Sequence, residues 1–358
     1  MAVDADAVLP KSTKVPTENA STSYTAELAP AQLASYACEP HECDVQDQAR
    51  LSEYRAKRKE WLHWYSLDKD VPNNIQQQIF SMLFMDLAYR SITQPRQIGE
   101  KDESLAIQNG LLAHLLDQGY VASQVFAVRK LLDKRPDVIS LRRLLNDICS
   151  NRGLITREIY VSHNGVPYEP DSWEQLPQQD EHYIFGIHAP GLSHYLASKH
   201  RHETFDLLAG VTPMLRQRGD LIRPEIFQTL NSWLDNSPAA HFVKLSHKFF
   251  AHAADVKSLG SLKYSGIKLA DVASTQRAII RVERAITDEI LFVAEARNVV
   301  PMPPLGLFQK LQFPYSPATS ISDMHEMWDL LTKERNEWRK GISKELSAAI
   351  TSASPPDC

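Results

Sequence analysis

One stretch of the chain places proton-transfer groups and fixed charge at helical spacing: His241-Phe-Val-Lys-Leu-Ser-His247-Lys248-Phe-Phe-Ala-His252-Ala-Ala-Asp255. At 100° per residue, His241, Lys248, His252 and Asp255 fall on nearly one face of a helix, with Leu245 and Phe249 on or beside it. An imidazole exchanges a proton near neutral pH, and a cation beside it can stabilise charge developing on a phosphorane. RNA carries its own nucleophile in the 2′-hydroxyl, so cleavage at such a site requires no metal. The same residues also fit a core helix in which Lys248 and Asp255 make ordinary salt bridges and His252 is hydrogen-bonded.

Other groups could also do chemistry. Arg277, Arg281 and Arg284 form a basic helical stripe able to contact RNA phosphates, each contact adding salt dependence. Glu283 and Asp288 equally allow an ion-pair network within that helix. Arg129, Arg142 and Arg143 carry the same ambiguity, and exposed surface is expected for them. His182, His188, His194, His200 and His202 cluster in sequence, but a six-residue spacing does not build one helical face, and Gly186, Pro190 and Gly191 interrupt it. Cys38-Glu-Pro-His41-Glu-Cys43 offers three zinc ligands, at a spacing that is not a standard one and without a fourth. The glycine-rich phosphate loops, the His-Glu-x-x-His zinc helix and the Gly-x-Ser-x-Gly nucleophile turn are all absent from the sequence. No cofactor and no metal are expected.

The segment Leu245-Ser-His-Lys-Phe-Phe-Ala-His252-Ala-Ala-Asp resembles the signature helix of HEPN domains, in particular the abortive-infection U-type HEPN-like family, which shows Arg-Asn-Lys-x-x-Ala-His here. Tyr120-Val-Ala-Ser-Gln-Val-Phe-Ala-Val-Arg129-Lys-Leu-Leu and Ser140-Leu-Arg-Arg-Leu-Leu-Asn-Asp147 resemble earlier helices of the same family. The resemblance spans most of residues 50–300. It implies a compact α-helical bundle that dimerises and, for many members, metal-independent endoribonuclease activity in toxin–antitoxin or phage-defence systems.

The family's catalytic pair is an Arg four to six residues before a His. Carried over, His252 takes the His role, and the Arg position falls on Ser246, or on His247 at the shorter spacing. Neither is Arg. Lys248, four residues before His252, is the substitute, although its compact charge lacks the planar fork that clamps phosphate oxygens. Asp255 would orient His252 or form a salt bridge. The resemblance therefore implies a defence or toxin-type protein acting on RNA, with a second copy, an RNA substrate and an antitoxin or regulatory protein as partners. The alternative it leaves open is a catalytically inactive RNA- or protein-binding module.

The elements that must hold these groups are largely helical in pattern. Residues 1–46, rich in Ala, Ser, Thr, Pro and acids, read as a tail. A helix is expected over Gln46–Trp64, its basic run Arg55–Glu60 forming a solvated face. Asn73 or Asn74 starts the next, and Gln94-Pro95 breaks it. A third segment runs from Ser104 to Asp133, its stripe of Val121, Val125, Val128, Leu131 and Leu132 ending at Arg135-Pro136. Leu141–Ile148 give a short helix closed by Gly153. Residues 155–190, with Asn164-Gly165, read as short β segments or an ordered loop. Helical patterns resume at 192–209, 224–234, 238–256, 268–298 and 321–350.

The resulting organisation is a tail (1–46), a HEPN-like helical domain (47–300), a Pro-rich linker (301–320), a C-terminal helix (321–350) and a short tail (351–358). Composition supports it. The 358 residues include only 13 Gly, where about 25 would be average, and few glycines favour helices over a many-stranded fold. The fold class is mainly α, a HEPN-like bundle with a small β or loop excursion near 155–190. The net charge is −5, so any nucleic-acid contact needs a local patch. Four cysteines in a chain of this length do not form a disulfide framework. No apolar run approaches membrane-span length, and the acidic N-terminus lacks a secretory pattern, so no membrane association and a cytoplasmic location are expected.

Overall fold

The computed structural model describes residues 38–65, 73–99, 110–169, 190–251, 267–293, 300, 307 and 321–352. These are mainly helical, with no strand among them. Helix α1 (Gln48–Tyr65) buries Leu51, Tyr54, Trp61 and Leu62. Its basic run is not a solvated face: Arg55 and Arg58 are 8% and 4% exposed. Backbone carbonyls draw them inward, since Arg55 Nε donates to His163 O at 2.9 Å and Arg58 Nη2 to Leu291 O at 3.0 Å. Chain ends of other elements thus replace water around these guanidinium groups.

Helix α2 (Ile75–Gly99) starts as expected at Asn74, whose Oδ1 accepts from Gln77 N at 2.8 Å. It runs through Pro95 instead of breaking there. A proline removes one backbone donor, and a long helix anchored by its neighbours can absorb that single loss. Helix α3 (Gly110–Leu132) lies along α2, with Val125, Val128 and Leu131 buried. Helix α4 (Leu141–Ser150) is capped by Ser140, whose hydroxyl accepts from Arg143 N at 3.0 Å, and it ends at Asn151, before Gly153.

The β expectation fails over the described part of 155–190. Residues Arg157–Ser162 form a short helix, α5, capped by Thr156, and the extended pairing is a single antiparallel bridge between Thr156 and Leu221. Every residue of α5 is buried. A segment enclosed on all sides carries no polar stripe, so its apolar pattern could not distinguish strand from helix. Residues 170–189 lie outside the described part.

Helix α6 (Pro190–Ala209) packs on α5, and α7 (Pro224–Asp235) leads to α8 (Ala239–Leu245). α8 continues into a π turn, Ser246–Ala251. Helix α9 (Leu269–Arg284) likewise ends in a π turn, Ala285–Ile290, short of the expected 298. The last helix is two: α10 (Ile321–Glu337) and α11 (Ile342–Ser352), divided at Gly341, whose φ of +82° suits only glycine well.

These C-terminal helices belong to the same core as the rest. Trp328 and Leu346 join Trp61, Phe205, Phe227 and Phe242 in one hydrophobic cluster, and α10 packs on α2 while α11 packs on α6 and α7. Within 301–320 only Leu307 is described, partly buried against that cluster. Buried polar links pin the layers. Arg335 of α10 pairs with Asp86 of α2 at 2.8 Å, and Asp86 also accepts from Arg90 Nε at 2.9 Å and from the Tyr120 hydroxyl of α3. At the N-terminal side, Cys43 and Val45 are buried against the bundle, so residues 38–46 are not tail. Among the described residues no helix is long and apolar enough to cross a membrane.

Candidate functional site

The signature segment is positioned by α3. In α8 the buried face is Ala239, Phe242 and Leu245, and it lies against α3. At Ser246 the backbone changes from the i→i+4 pattern to the wider π turn. Such turns are rare and concentrate at functional sites. Ser246 is fully buried. Its hydroxyl accepts a hydrogen bond from Arg129 Nη1 of α3 at 3.1 Å. His247 is exposed and Lys248 half-buried on the same turn, while His241 is half-buried one helical stretch earlier. A π turn advances each residue by less than 100°, so the helical face computed from sequence does not carry unchanged past Ser246. His252 and Asp255 lie outside the described residues.

Ser246, His247 and Lys248 thus share one π turn, with Ser246 turned inward and His247 outward, and the Arg129 guanidinium, expected on the surface, reaches that turn from α3. Arg129 directly follows Val128, which is 1% exposed, at the edge of the buried stripe of α3. That adjacency was the available signal, because a residue next to a packed face reaches the neighbouring helix. What it would touch depended on where α8 lay.

The Arg277, Arg281 and Arg284 stripe is occupied by intramolecular contacts. Arg284, 4% exposed, pairs with Glu283 at 3.3 Å and with Asp288 at 3.4 Å, the i,i+4 ion pair that the spacing allows. Arg281 pairs with Glu345 of α11 and stacks over Trp233 of α7 at 4.0 Å. Burial and the nearby Arg277 charge pull the Arg281 pKa down. Arg277 itself stays exposed, with its guanidinium 5.3 Å from the Trp338 ring centre. Arg142, 4% exposed, is tied to Asn231 and Asp235 of α7, and Arg143 stacks over Trp64 at 4.0 Å.

Among the histidines of 182–202, His194 and His200 are exposed and His202 is buried, its Nε2 2.8 Å from Tyr168 O. His182 and His188 lie outside the described residues. No group of three or more metal-ligating side chains occurs among the described residues. Among the described residues, two grooves lie away from the signature turn. One, between α6 and α11, is lined by Leu207, Lys344, Ser347 and Thr351, and the other, between α4 and α7, by Cys149, Phe227, Asn231 and Asp235.

Comparison of the chain with protein-family models, with curated proteins and with solved structures finds no match. The resemblance to HEPN domains accordingly rests on the residues quoted above alone. A mainly helical chain is compatible with many activities, so function has to be argued from the site.

Proposed function

We propose that this chain is a HEPN-like defence or toxin-type protein that acts on RNA as a metal-independent endoribonuclease, with the π turn after α8 as its working edge. His252 exchanges the proton of the attacking 2′-hydroxyl and of the leaving oxygen. Lys248 offsets the charge that develops on the phosphorane, and Asp255 orients the imidazole. Ser246 and His247 occupy the places where the family pattern carries Arg. Arg129 supplies the planar fork from α3, suited to two phosphate oxygens at once. Two copies meet through their signature helices, and an antitoxin or regulatory protein holds the activity in check.

The observation that supports this reading is the Arg129–Ser246 hydrogen bond, which brings a guanidinium to the turn whose own sequence lacks one. The full burial of Ser246 favours a second reading, in which the helix is a packing element of a non-catalytic RNA- or protein-binding module.

Purified protein incubated with total RNA and with tRNA in the presence of a chelator, beside His252→Ala, separates them. Cleavage that survives the chelator and is lost in the variant is the expected result. Equal cleavage by both proteins overturns the assignment of His252. Absence of cleavage with retained RNA binding favours the module.

A further inference from the structure

Away from the signature turn, the fold brings two sulfurs together. Cys38 Sγ and Cys43 Sγ are 3.2 Å apart, and both are free thiols. The 3₁₀ turn Pro40–Glu42 between them sets this approach, closed by Glu42 N to Glu39 O at 3.1 Å and Cys43 N to Pro40 O at 3.0 Å. Glu42 Oε2 accepts from Glu39 N at 2.8 Å and reinforces it. Arg55 of α1 reaches both sulfurs with one nitrogen: Nη2 is 3.0 Å from Cys43 Sγ and 3.5 Å from Cys38 Sγ. Its Nη1 donates to Cys38 O at 3.0 Å. Cys43 is 6% exposed, whereas Cys38 is half-buried and so the more accessible sulfur.

Zinc is a poor fit for this pair. His41 sits exposed on the turn, and a closed zinc site takes four ligands where two sulfurs converge. Two thiols in contact beside a guanidinium suit electron transfer between sulfurs instead, because a nearby cation stabilises the thiolate that attacks.

We propose that Cys38 and Cys43 are a redox-active pair that closes to an intrachain disulfide by exchange with a low-molecular-weight disulfide. Cys38 gives up its proton and its thiolate attacks one sulfur of the oxidant. The oxidant's S–S bond breaks, one thiol leaves with that proton, and a mixed disulfide remains on Cys38. Cys43 then loses its proton and attacks the Cys38 sulfur, breaking the mixed bond and releasing the second thiol. Two electrons pass from the protein's two thiols to the oxidant, which departs as two thiols. Arg55 Nη2 faces both sulfurs where the exchange takes place. Burial pushes the Cys43 thiol up to about 11, consistent with its resolving an adduct rather than starting one.

The consequence is structural. Cys38 Sγ lies 3.0 Å from where a Cβ on Gly165 would be, and Arg55 also holds the His163 carbonyl. The disulfide therefore closes a short loop in the chain entering α1, at a place where that loop lies against the turn that follows α5.

The test uses the full chain carrying Cys149→Ser and Cys358→Ser, equilibrated in glutathione buffers of graded redox poise, alkylated and weighed intact. The expected species on the oxidising side lacks two hydrogen atoms, takes up no alkylating agent and reverts with dithiothreitol. In the Cys43→Ser version the same treatment should stop at one glutathione on Cys38. The proposal is overturned by full alkylation of both cysteines at every poise, by a disulfide-linked dimer, or by a stable glutathione adduct while Cys43 is present.

Discussion

Arg129 on α3 donates a hydrogen bond from Nη1 to the hydroxyl of Ser246, 3.1 Å away on the π turn that ends α8. The contact joins residues 117 positions apart and places a cation beside a fully buried side chain. An arginine at 246 itself would find no room there. A guanidinium reaches this turn by crossing from the neighbouring helix.

Placing an arginine at 246, as in the HEPN pattern, should therefore damage the fold. Ser246→Arg forces a long cation into a closed site beside Arg129, and a loss of about 3 kcal/mol or outright misfolding is expected. Ser246→Ala, which removes only an acceptor, should cost about 1 kcal/mol. Urea unfolding of the two variants measures the difference. Equal stabilities would mean that the site is open.

If Arg129 serves the RNA reaction, Arg129→Gln should lower kcat/KM by about 10²-fold, the usual effect of removing one donor that stabilises transition-state charge. Arg129→Lys should recover only part of it, because a point charge replaces a fork. Cleavage assays on folded variants, checked by circular dichroism, decide. Full activity in Arg129→Gln removes Arg129 from the mechanism.

Asp86 is completely buried and ties three helices, pairing with Arg335 and Arg90 and accepting from Tyr120. Asp86→Ala leaves the Arg335 charge buried without it, a change that costs about 3–5 kcal/mol. The urea midpoint should fall accordingly. A shift below 1 kcal/mol would show that α10 is not anchored through this pair.

Acid should destabilise the protein before its carboxylates titrate. Burial holds the His163 pKa well below its ordinary value, helped by the charges of Arg58 and Arg201, and burial also lowers that of His202. His163 stays neutral in the fold, and His202 takes up its proton at lower pH than it does in the unfolded chain, which binds protons below about pH 6.5. The unfolded state thus binds more protons, so this stability is present above that pH and is lost as pH falls. For His163 the slope approaches about 1.4 kcal/mol per pH unit below that pH, and His202 adds a smaller contribution of the same sign. Unfolding free energies measured between pH 7.5 and 5.5 should show it, with a shallower slope in His163→Gln. Parallel slopes in the two proteins would contradict it.

Arg281 should matter for stability more than for RNA. Its guanidinium stacks on Trp233 and pairs with Glu345, joining α9 to α7 and α11. Arg281→Ala should lower stability by about 1 kcal/mol while RNA affinity and its salt slope stay unchanged. A reduced salt slope would instead return Arg281 to the RNA surface.

Local signals were legible where local physics decides. Ser140 ahead of Leu141, Asn74 ahead of Ile75 and the apolar stripe of α3 each act through neighbours in sequence, and the helices stand where those residues place them. The Arg284–Asp288 pair was equally readable, because its spacing alone makes the two meet on a helix. The signature segment was legible as a pattern of residue types.

Misreadings arose where distant groups decide. Arg55 and Arg58 looked like solvated charge until carbonyls from His163 and Leu291 arrived to bind them. Residues 157–162 looked strand-like because burial from every side erased the helical stripe. Pro95 looked like a terminus, and the chain from 321 onward looked like one helix until Gly341 turned it. The sequence by itself determined a helical chain, its caps and the kinds of groups available for chemistry. Only tertiary structure decided which of those groups share a site, since Arg129 meets Ser246, and Arg55 meets Cys38 and Cys43, through packing that joins residues from 12 to 117 positions apart.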